Sequence, residues 1–120
     1  MSKYYSKKVE VGGEVFDSRK EYRRFCELLL LQKAGAITEL KRQVEYKLIP
    51  AQREPDTVGV RGGVKKGRVI EQAVKYVADF VYKDKDGKLV VEDTKGFKTK
   101  DYIIKRKLML YIHKIRVKEI

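Results

Sequence analysis

Two runs of β-forming residues separated by a short polar turn constrain the fold of this chain more than any other feature. Residues 74–82 read VKYVADFVY and residues 89–96 read LVVEDTKG, and branched and aromatic residues of this kind are enriched in strands. The residues between the runs, KDKDGK, contain Asp86-Gly87, a dipeptide typical of tight turns. The sequence therefore predicts an antiparallel hairpin in which successive side chains point to opposite faces.

Acidic residues lie inside both predicted strands, where an unpaired charge costs desolvation energy. Asp79 is in the middle of the first run, and Asp93 and Lys95 are two residues apart in the second. Alternation puts Asp79 on the face of Val77 and Val81, and puts Asp93 and Lys95 together on one face. The hairpin can make Asp79 and Asp93 neighbours, and two adjacent carboxylates repel when both are ionised.

A divalent cation is one way to relieve this repulsion, because Mg²⁺ is commonly bound by one or two carboxylates together with substrate phosphate oxygens. The alternative is structural: Asp93 pairs with Lys95, Asp79 lies near a strand end, and nothing binds. The combination of Asp79, a hairpin and a D-x-K sequence followed by Gly96 favours the metal site.

The sequence before this hairpin predicts a shorter hairpin, a helix and a strand. Residues 8–16 have a Gly-Gly turn at their centre, and Ser18 and Glu21 have the S-x-x-E spacing of a helix capping box. The helix should end near Gly35, and residues 43–51 alternate as a strand. The predicted apolar face of the helix consists of Tyr22, Phe25, Cys26 and Leu29.

A second helix and a last strand are predicted after residue 96. Thr99 or Asp101 caps the helix, and residues 114–120 form the closing strand. Residues 1–120 then form one α/β (α+β) domain with a mixed central sheet flanked by helices and an N-terminal β-hairpin. Its expected radius of gyration is about 14 Å. The predicted apolar face of the second helix consists of Ile104, Leu108 and Tyr111.

Positive charge dominates the composition and indicates a polyanionic partner. Lysine and arginine number 29 and aspartate and glutamate 17, a formal net charge of +12, which is most often a sign of nucleic-acid binding. Two segments are especially basic: a predicted flexible loop at about 53–69, and residues 95–107. The candidate DNA-phosphate contacts are Arg61, Lys65, Lys66, Arg68, Lys98 and Lys100.

Several other classes of protein are excluded by simple counts. The lone Cys26 cannot build a disulfide framework or a cysteine zinc site. No apolar run approaches the roughly 18 residues of a membrane span, and the start of the chain lacks the apolar segment of a secretory signal. We therefore expect a cytoplasmic protein with no membrane partner.

With these motifs in place, the chain resembles the PD-(D/E)XK nuclease superfamily, which has the restriction-endonuclease-like fold. The superfamily motif, an acid on one strand and D/E-x-K on the next, is matched by Asp79 and by D-T-K at 93–95, with Ala78 in place of the usual proline. The superfamily core, αβββαβ, matches the predicted order of elements. More narrowly, the chain resembles a family of small phage and prophage proteins of formerly unknown function that is related to Holliday-junction resolvases.

The resemblance implies metal-dependent phosphodiester hydrolysis. Asp79, Asp93 and the backbone carbonyl of Thr94 would hold Mg²⁺, for which Mn²⁺ can substitute. Lys95 would position the attacking water or stabilise developing negative charge. Many members carry a glutamate on the first helix, and Glu21 matches that position and would complete the metal shell.

Three side chains keep alternative interpretations. Glu21 is also what a capping box requires at its position. Lys107 stands where some exonuclease-like members have the glutamine of a Q-x-x-x-Y element, and it either reaches the scissile phosphate or extends past the core to solvent. Gln43 precedes the predicted strand and could orient Glu21 or a backbone group.

The implied activity is that of a Mg²⁺-dependent, structure-selective endonuclease that cleaves branched DNA, as a phage-type Holliday-junction resolvase in DNA recombination. Junction cleavage needs two matched nicks, so we expect a homodimer. One alternative is a nuclease of the same chemistry that acts on flaps, forks or duplex DNA. Another is a non-catalytic junction-binding protein whose acidic residues are structural.

Overall fold

The computed structural model describes residues 8–120, so the first seven residues of the predicted domain lie outside the described part. Ten strands and two helices are found in that part. In chain order they are β1 (Val9–Val11), β2 (Glu14–Phe16), α1 (Arg19–Lys33), β3 (Ile37–Ile49), β4 (Gln52–Arg53), β5 (Thr57–Val58), β6 (Val64–Lys65), β7 (Val69–Glu71), β8 (Val74–Asp84), β9 (Leu89–Asp93), α2 (Lys100–His113) and β10 (Lys118–Glu119).

Four strands form a mixed central sheet in the order β10-β9-β8-β3. Strand β8 is antiparallel to both β3 and β9, and β9 is parallel to β10. The predicted hairpin is confirmed, since β8 and β9 pair directly and Gly87 in the turn has a φ of 80°. The protein is thus a mixed α+β domain, as the sequence predicts.

The two helices pack against opposite faces of this sheet. Leu28 of α1 packs with Phe80 and Tyr82 of β8, whereas Met109 of α2 belongs to a cluster that includes Val81. Consecutive residues of a strand point to opposite faces, so Phe80 and Val81 direct the two clusters apart. Each cluster buries apolar side chains on its own side of β8.

Helix α1 begins as predicted but turns a different face to the sheet. Ser18 Oγ accepts a hydrogen bond from the Glu21 amide at 3.1 Å, and Gly35, just beyond the end of the helix, has a φ of 81°. The predicted face is one position off, because Leu28 is fully buried and Leu29 is 43% exposed. Residues 28–31 are four consecutive leucines, so spacing alone cannot select the buried one.

The predicted apolar face of α2 is correct at Leu108, which packs against the core, and wrong at its other two positions. Ile104 and Tyr111 are 57% and 76% exposed, whereas Tyr102 and Met109 are buried. The Tyr102 ring lies beside Tyr76, with 6.4 Å between the centroids, and its hydroxyl donates to Glu119 at 2.9 Å. These contacts fix the rotation of the helix. Its predicted cap is confirmed, since Thr99 Oγ1 accepts from the Tyr102 amide at 3.1 Å.

The lengths of two strands differ from the prediction. Strand β3 starts at Ile37, six residues before the predicted start, because its polar first half lacks the apolar alternation of a typical strand. The closing strand is confined to Lys118–Glu119 of the predicted 114–120. A short parallel pairing with β9 is enough to place this strand at the sheet edge.

The predicted flexible loop at 53–69 is instead a paired structure, which we call the β-arm (residues 52–71). Strand β4 pairs with β7 and β5 pairs with β6, both antiparallel. Arg53 and Asp56 reinforce the ladder through hydrogen bonds to the backbone of Gly67 at 3.0 and 2.9 Å. The radius of gyration is 18.8 Å, above the compact-domain expectation, and the largely exposed β-arm accounts for part of the excess.

Within residues 8–120, none of the helices combines the length and the apolar character needed to cross a membrane.

Candidate metal centre

A cleft of about 420 Å³ lies where β8, the end of β9 and the first turns of both helices meet. Glu21, Asp79, Thr94 and Lys95 line it, so four of the predicted site residues share one cavity. Asp93 is fully buried next to this cleft. The structure therefore brings four of the predicted residues together, whereas Asp93 is not among the residues that line the cleft.

Asp79 has one carboxylate oxygen held by the protein and one nearly free. Oδ2 accepts hydrogen bonds from the Thr94 amide at 2.9 Å and from Thr94 Oγ1 at 2.8 Å. Oδ1 lies 3.5 Å from Gln43 Nε2, at the outer limit of a hydrogen bond. The backbone that follows Asp93 thus orients Asp79 and leaves Oδ1 available to a ligand.

Asp93 shows the same division more sharply. Its Oδ2 accepts from the Tyr76 hydroxyl at 2.6 Å, and its buried Oδ1 has no hydrogen-bond partner among the described residues. Burial, and then the negative charge of Asp79, raise the pKa of Asp93 to about 6. An orphaned buried carboxylate oxygen is costly, and a bound cation would offset both effects. These donors therefore fit a hard divalent ion.

Glu21 is almost completely buried, with 1% of its surface exposed. Its Oε2 accepts from the Asp17 amide at 2.9 Å and its Oε1 accepts from Gln43 Nε2, also at 2.9 Å. Burial raises the pKa of Glu21, and the charge of Asp79 adds to the shift. The predicted cap at Ser18 is present as well, so Glu21 both takes part in capping the first turn of the helix and presents a carboxylate to the cleft.

Asp17 also lines the cleft, whereas the sequence pattern predicts only that a helix starts there. One carboxylate oxygen from each of Asp17, Glu21 and Asp79 lies within 4.8 Å of the other two. Asp17 is exposed at the cleft mouth, whereas the other two are buried. The only sequence signal at Asp17 is its position directly before the helix cap Ser18. This signal predicts a helix start but not a cleft residue, because tertiary packing decides what the start of a helix lies next to.

Of the two lysines predicted to be catalytic, Lys95 lines the cleft and Lys107 does not. Lys95 is exposed and lines the cleft, its Nζ 5.8 Å from the centre of the Tyr102 ring. Lys107 is exposed and is not among the cleft residues, whereas Lys105 is. The two lysines are about 200° apart around the helix. The catalytic assignment of Lys107 is therefore not supported, and its alternative of extending to solvent fits the structure.

Glu92, next to Asp93, belongs to the other face of the sheet. It is fully buried and accepts hydrogen bonds from Arg24 Nε at 2.8 Å, from Arg24 Nη2 at 2.7 Å, and from the Tyr82 hydroxyl. Tyr82 packs with α1 rather than α2. Asp93 instead accepts from Tyr76, which packs on the α2 side, so the two neighbouring acids face opposite sides of the sheet.

The predicted phosphate contacts form two groups. Lys98 and Lys100 flank the cleft residue Thr99, and Lys98 Nζ lies 3.5 Å from a Glu119 oxygen. The other group is on the β-arm, where all four side chains are exposed. These four residues are Arg61, Lys65, Lys66 and Arg68.

The raised pKa of Asp93 predicts a pH dependence of stability. The ordinary pKa is 3.8 and the folded value is about 6, so between these values the folded protein keeps a proton that the unfolded chain releases. The free energy of unfolding should therefore fall as pH rises from 4 to 6, by at most about 3 kcal/mol. Urea unfolding in EDTA at several pH values, with wild type and Asp93→Asn, would measure this.

The difference between the two proteins isolates Asp93, because all other titrating groups are shared. A difference that does not change across this pH range would contradict the assigned shift.

The fold and the cleft define a mixed α+β protein with a cluster of buried carboxylates able to hold a cation. Residues 1–119 match the model of a family described as "Protein of unknown function (DUF1064)", and the chain belongs to that family. No curated protein and no solved structure is significantly similar to it.

Proposed function

We propose that this protein is a metal-dependent DNA endonuclease of the PD-(D/E)XK type. The observation that carries the proposal is that Asp79 and Asp93 lie on paired strands, close enough for the charge of Asp79 to raise the pKa of Asp93. Each has one carboxylate oxygen held by the protein, while the other has a long contact or none. Two acids held in this way beside an exposed lysine suit a divalent cation and a phosphate.

The order of elements supports a restriction-endonuclease-like core. Taken without the N-terminal hairpin and the β-arm, the chain runs α1, β3, β8, β9, α2, β10, which is the αβββαβ order of that fold. The two motif strands are the central pair, β8 and β9. The predicted acids thus occupy the strands on which the superfamily carries them.

Each residue of the proposed site has a distinct role. Asp79 and Asp93, with the Thr94 carbonyl, would hold Mg²⁺ or Mn²⁺, and Glu21 would complete the shell. A bound ion of this kind polarises a phosphate and lowers the pKa of a coordinated water. Lys95 supplies positive charge where negative charge develops on the phosphate.

Branched DNA is the substrate class we propose, with the four-way junction first. A net charge of +12 provides general attraction to DNA, and the β-arm extends basic side chains beyond the main sheet. An arm of this kind can contact a second duplex while the cleft holds the first. Two matched nicks would require a homodimer, which analytical ultracentrifugation of the protein with and without junction DNA would detect.

The direct test is cleavage of a DNA panel by wild type, Lys95→Ala and the control Lys85→Ala, whose lysine lies in the hairpin turn away from the cleft. The panel contains a four-way junction, a flap, a fork and a linear duplex. We expect wild type to nick the junction in Mg²⁺ and only to bind it in Ca²⁺. Loss of Lys95 should slow nicking by about 10²-fold or more and leave binding in Ca²⁺ nearly unchanged.

Other outcomes would redirect the proposal. Faster cleavage of flaps, forks or duplex would keep the chemistry and change the substrate. Junction binding that is the same in EDTA and in Mg²⁺, with no cleavage of any DNA, would indicate a non-catalytic junction-binding protein. Equal nicking by Lys95→Ala and wild type would remove Lys95 from the mechanism.

A further inference from the structure

Gln43 lies opposite Asp79 at an irregular point in the central sheet. Arg42 pairs with Phe80, and Val44 pairs with Ala78. Gln43 on β3 therefore faces Asp79 on β8. The φ of Gln43 is 51°, in the left-handed region that residues with a side chain rarely adopt. Such outliers persist only where the surrounding structure holds them, and they are often found at functional sites.

Side chains of β3 change face at Gln43. Leu40 packs in the cluster that contains Leu28 of α1 (the α1 cluster), and Arg42 approaches Glu21. Val44, in contrast, packs in the cluster that contains Met109 of α2 (the α2 cluster). Strict alternation would put these even-numbered residues on one face. A left-handed residue inside a strand re-aims the side chains around it, as a β-bulge does.

Strand β8 changes face at the same level. Ala78 packs in the α2 cluster and Phe80 in the α1 cluster, although alternation would put both on one face. Asp79 is the residue at which the change occurs. The irregularity that contains Gln43 therefore also determines where the Asp79 carboxylate points.

The side-chain amide of Gln43 joins two carboxylates of the candidate metal centre. Nε2 donates to Glu21 Oε1 at 2.9 Å and lies 3.5 Å from Asp79 Oδ1. Glu21 is on α1 and Asp79 is on β8, so one neutral donor links the helix to the strand. A neutral donor can hold two carboxylates near each other without occupying the place of a cation.

We propose that Gln43 is a positioning residue of the metal centre, whose amide orients Glu21 beside the free oxygen of Asp79 and whose left-handed backbone places that amide between the two carboxylates. This inference rests on the proposed metal-dependent function. The competing possibility is that the left-handed backbone of Gln43 only changes the face to which the β3 side chains point, in which case its amide is dispensable.

Substitution by glycine separates the two possibilities, because glycine adopts a left-handed backbone without strain but has no amide. Gln43→Gly should keep or raise the unfolding temperature of the metal-free protein, while Mn²⁺ affinity falls by about tenfold, as it does on loss of outer-shell partners of metal ligands. Gln43→Asn, with a shorter amide and a tolerated backbone, should give an intermediate affinity. Mn²⁺ titration calorimetry and thermal unfolding measure the two quantities.

Glu39→Gly is the matched control, since Glu39 is also left-handed, with a φ of 57°, in the same strand and does not line the cleft. It should leave Mn²⁺ affinity at the wild-type value. Two results would overturn the inference. One is a wild-type Mn²⁺ affinity in Gln43→Gly. The other is a loss of Mn²⁺ affinity that parallels a loss of thermal stability in both Gln43 variants. If wild type binds no Mn²⁺ and cuts no DNA, the proposed function itself fails and this inference fails with it. If wild type binds and cuts while Gln43→Gly matches it, only the role of Gln43 fails.

Discussion

Asp93→Asn should abolish metal-dependent cleavage and at the same time raise the unfolding temperature of the metal-free protein at pH 8. Glu92→Gln, one residue away, should have the opposite effects. It should lower the unfolding temperature and leave cleavage unchanged at temperatures at which the variant is folded. Opposite signs are expected because the two neighbouring carboxylates lie on different faces of β9 and have different partners.

For Asp93 the reasons are its burial and its missing partner. The side chain is fully buried, Oδ1 has no donor in the described part of the chain, and the pKa is raised to about 6. At pH 8 the metal-free protein therefore carries a buried charge that Tyr76 and Lys95 offset only in part. Asparagine removes this charge and still accepts from Tyr76. Cleavage should fall by at least about 10³-fold, since losing a metal ligand removes several kcal/mol of transition-state stabilisation.

Glu92 is different because its charge is matched. Arg24 reaches it with two nitrogens, at 2.8 and 2.7 Å, and Tyr82 donates to it as well. Removing one partner of a buried ion pair costs about 3 kcal/mol or more. The loss should appear as a lower unfolding temperature and not as a change in nicking rate.

Circular dichroism in EDTA and single-turnover nicking of junction DNA in Mg²⁺ would measure both effects. Asp86→Asn, in the exposed turn of the same hairpin, is the control that should change neither. If Glu92→Gln lost cleavage and Asp93→Asn kept it, the assignment of the motif to Asp93 would be reversed.

The features that sequence predicts well are those carried by short-range patterns. The β8–β9 hairpin, the caps at Ser18 and Thr99 and the order of the elements all follow from local residue types and spacing. The neighbouring positions of Asp79 and the end of β9 follow from the hairpin. Thr94, which donates twice to Asp79, confirms this closeness.

The features that sequence misses depend on contacts between distant residues. Alternation predicts that Asp79 shares a face with Val77 and Val81, yet Val77 is 41% exposed and Val81 is buried. The reason is the left-handed backbone at Gln43. Glycine is the residue that usually marks such a backbone in a sequence, and this position holds a glutamine. The glycines and charges of the β-arm predict a loop. Its strands pair residues that are far apart in the sequence, such as Gln52 and Glu71, which are 19 residues apart, and no local pattern indicates this pairing.

The β-arm carries the other large expected effect. Replacing Arg61, Lys65, Lys66 and Arg68 together by glutamine should weaken junction binding in Ca²⁺ by about 10²-fold near 0.1 M salt, because each phosphate contact contributes about 0.9 to the slope of log affinity against log salt. The slope itself should become shallower by about 3.6 if all four residues contact phosphates. Fluorescence anisotropy across a salt series would measure both quantities.

The control removes equal charge from the other end of the sheet. The control set consists of two lysines of the β8–β9 turn, one lysine of β3 near that turn and the last residue of α1, namely Lys85, Lys88, Lys41 and Lys33. Their replacement by glutamine also takes the net charge from +12 to 12 − 4 = +8. Equal loss of binding in the two sets would mean that net charge, not the β-arm, drives the association.

Shape and charge can be separated within the β-arm by a glycine substitution that changes no charge. A Cβ at Gly67 would lie 1.7 Å from the Glu54 carbonyl oxygen, an impossible contact between backbone segments, whereas a Cβ at Gly63 would meet nothing within 4 Å. Gly67→Ala should therefore disrupt the ladder next to Arg68 and weaken junction binding, while Gly63→Ala should bind as wild type does. Because the central sheet does not include the β-arm, both variants should keep the wild-type unfolding temperature to within a few degrees. Undiminished binding by Gly67→Ala would show that the β-arm contributes its charges without needing its paired structure.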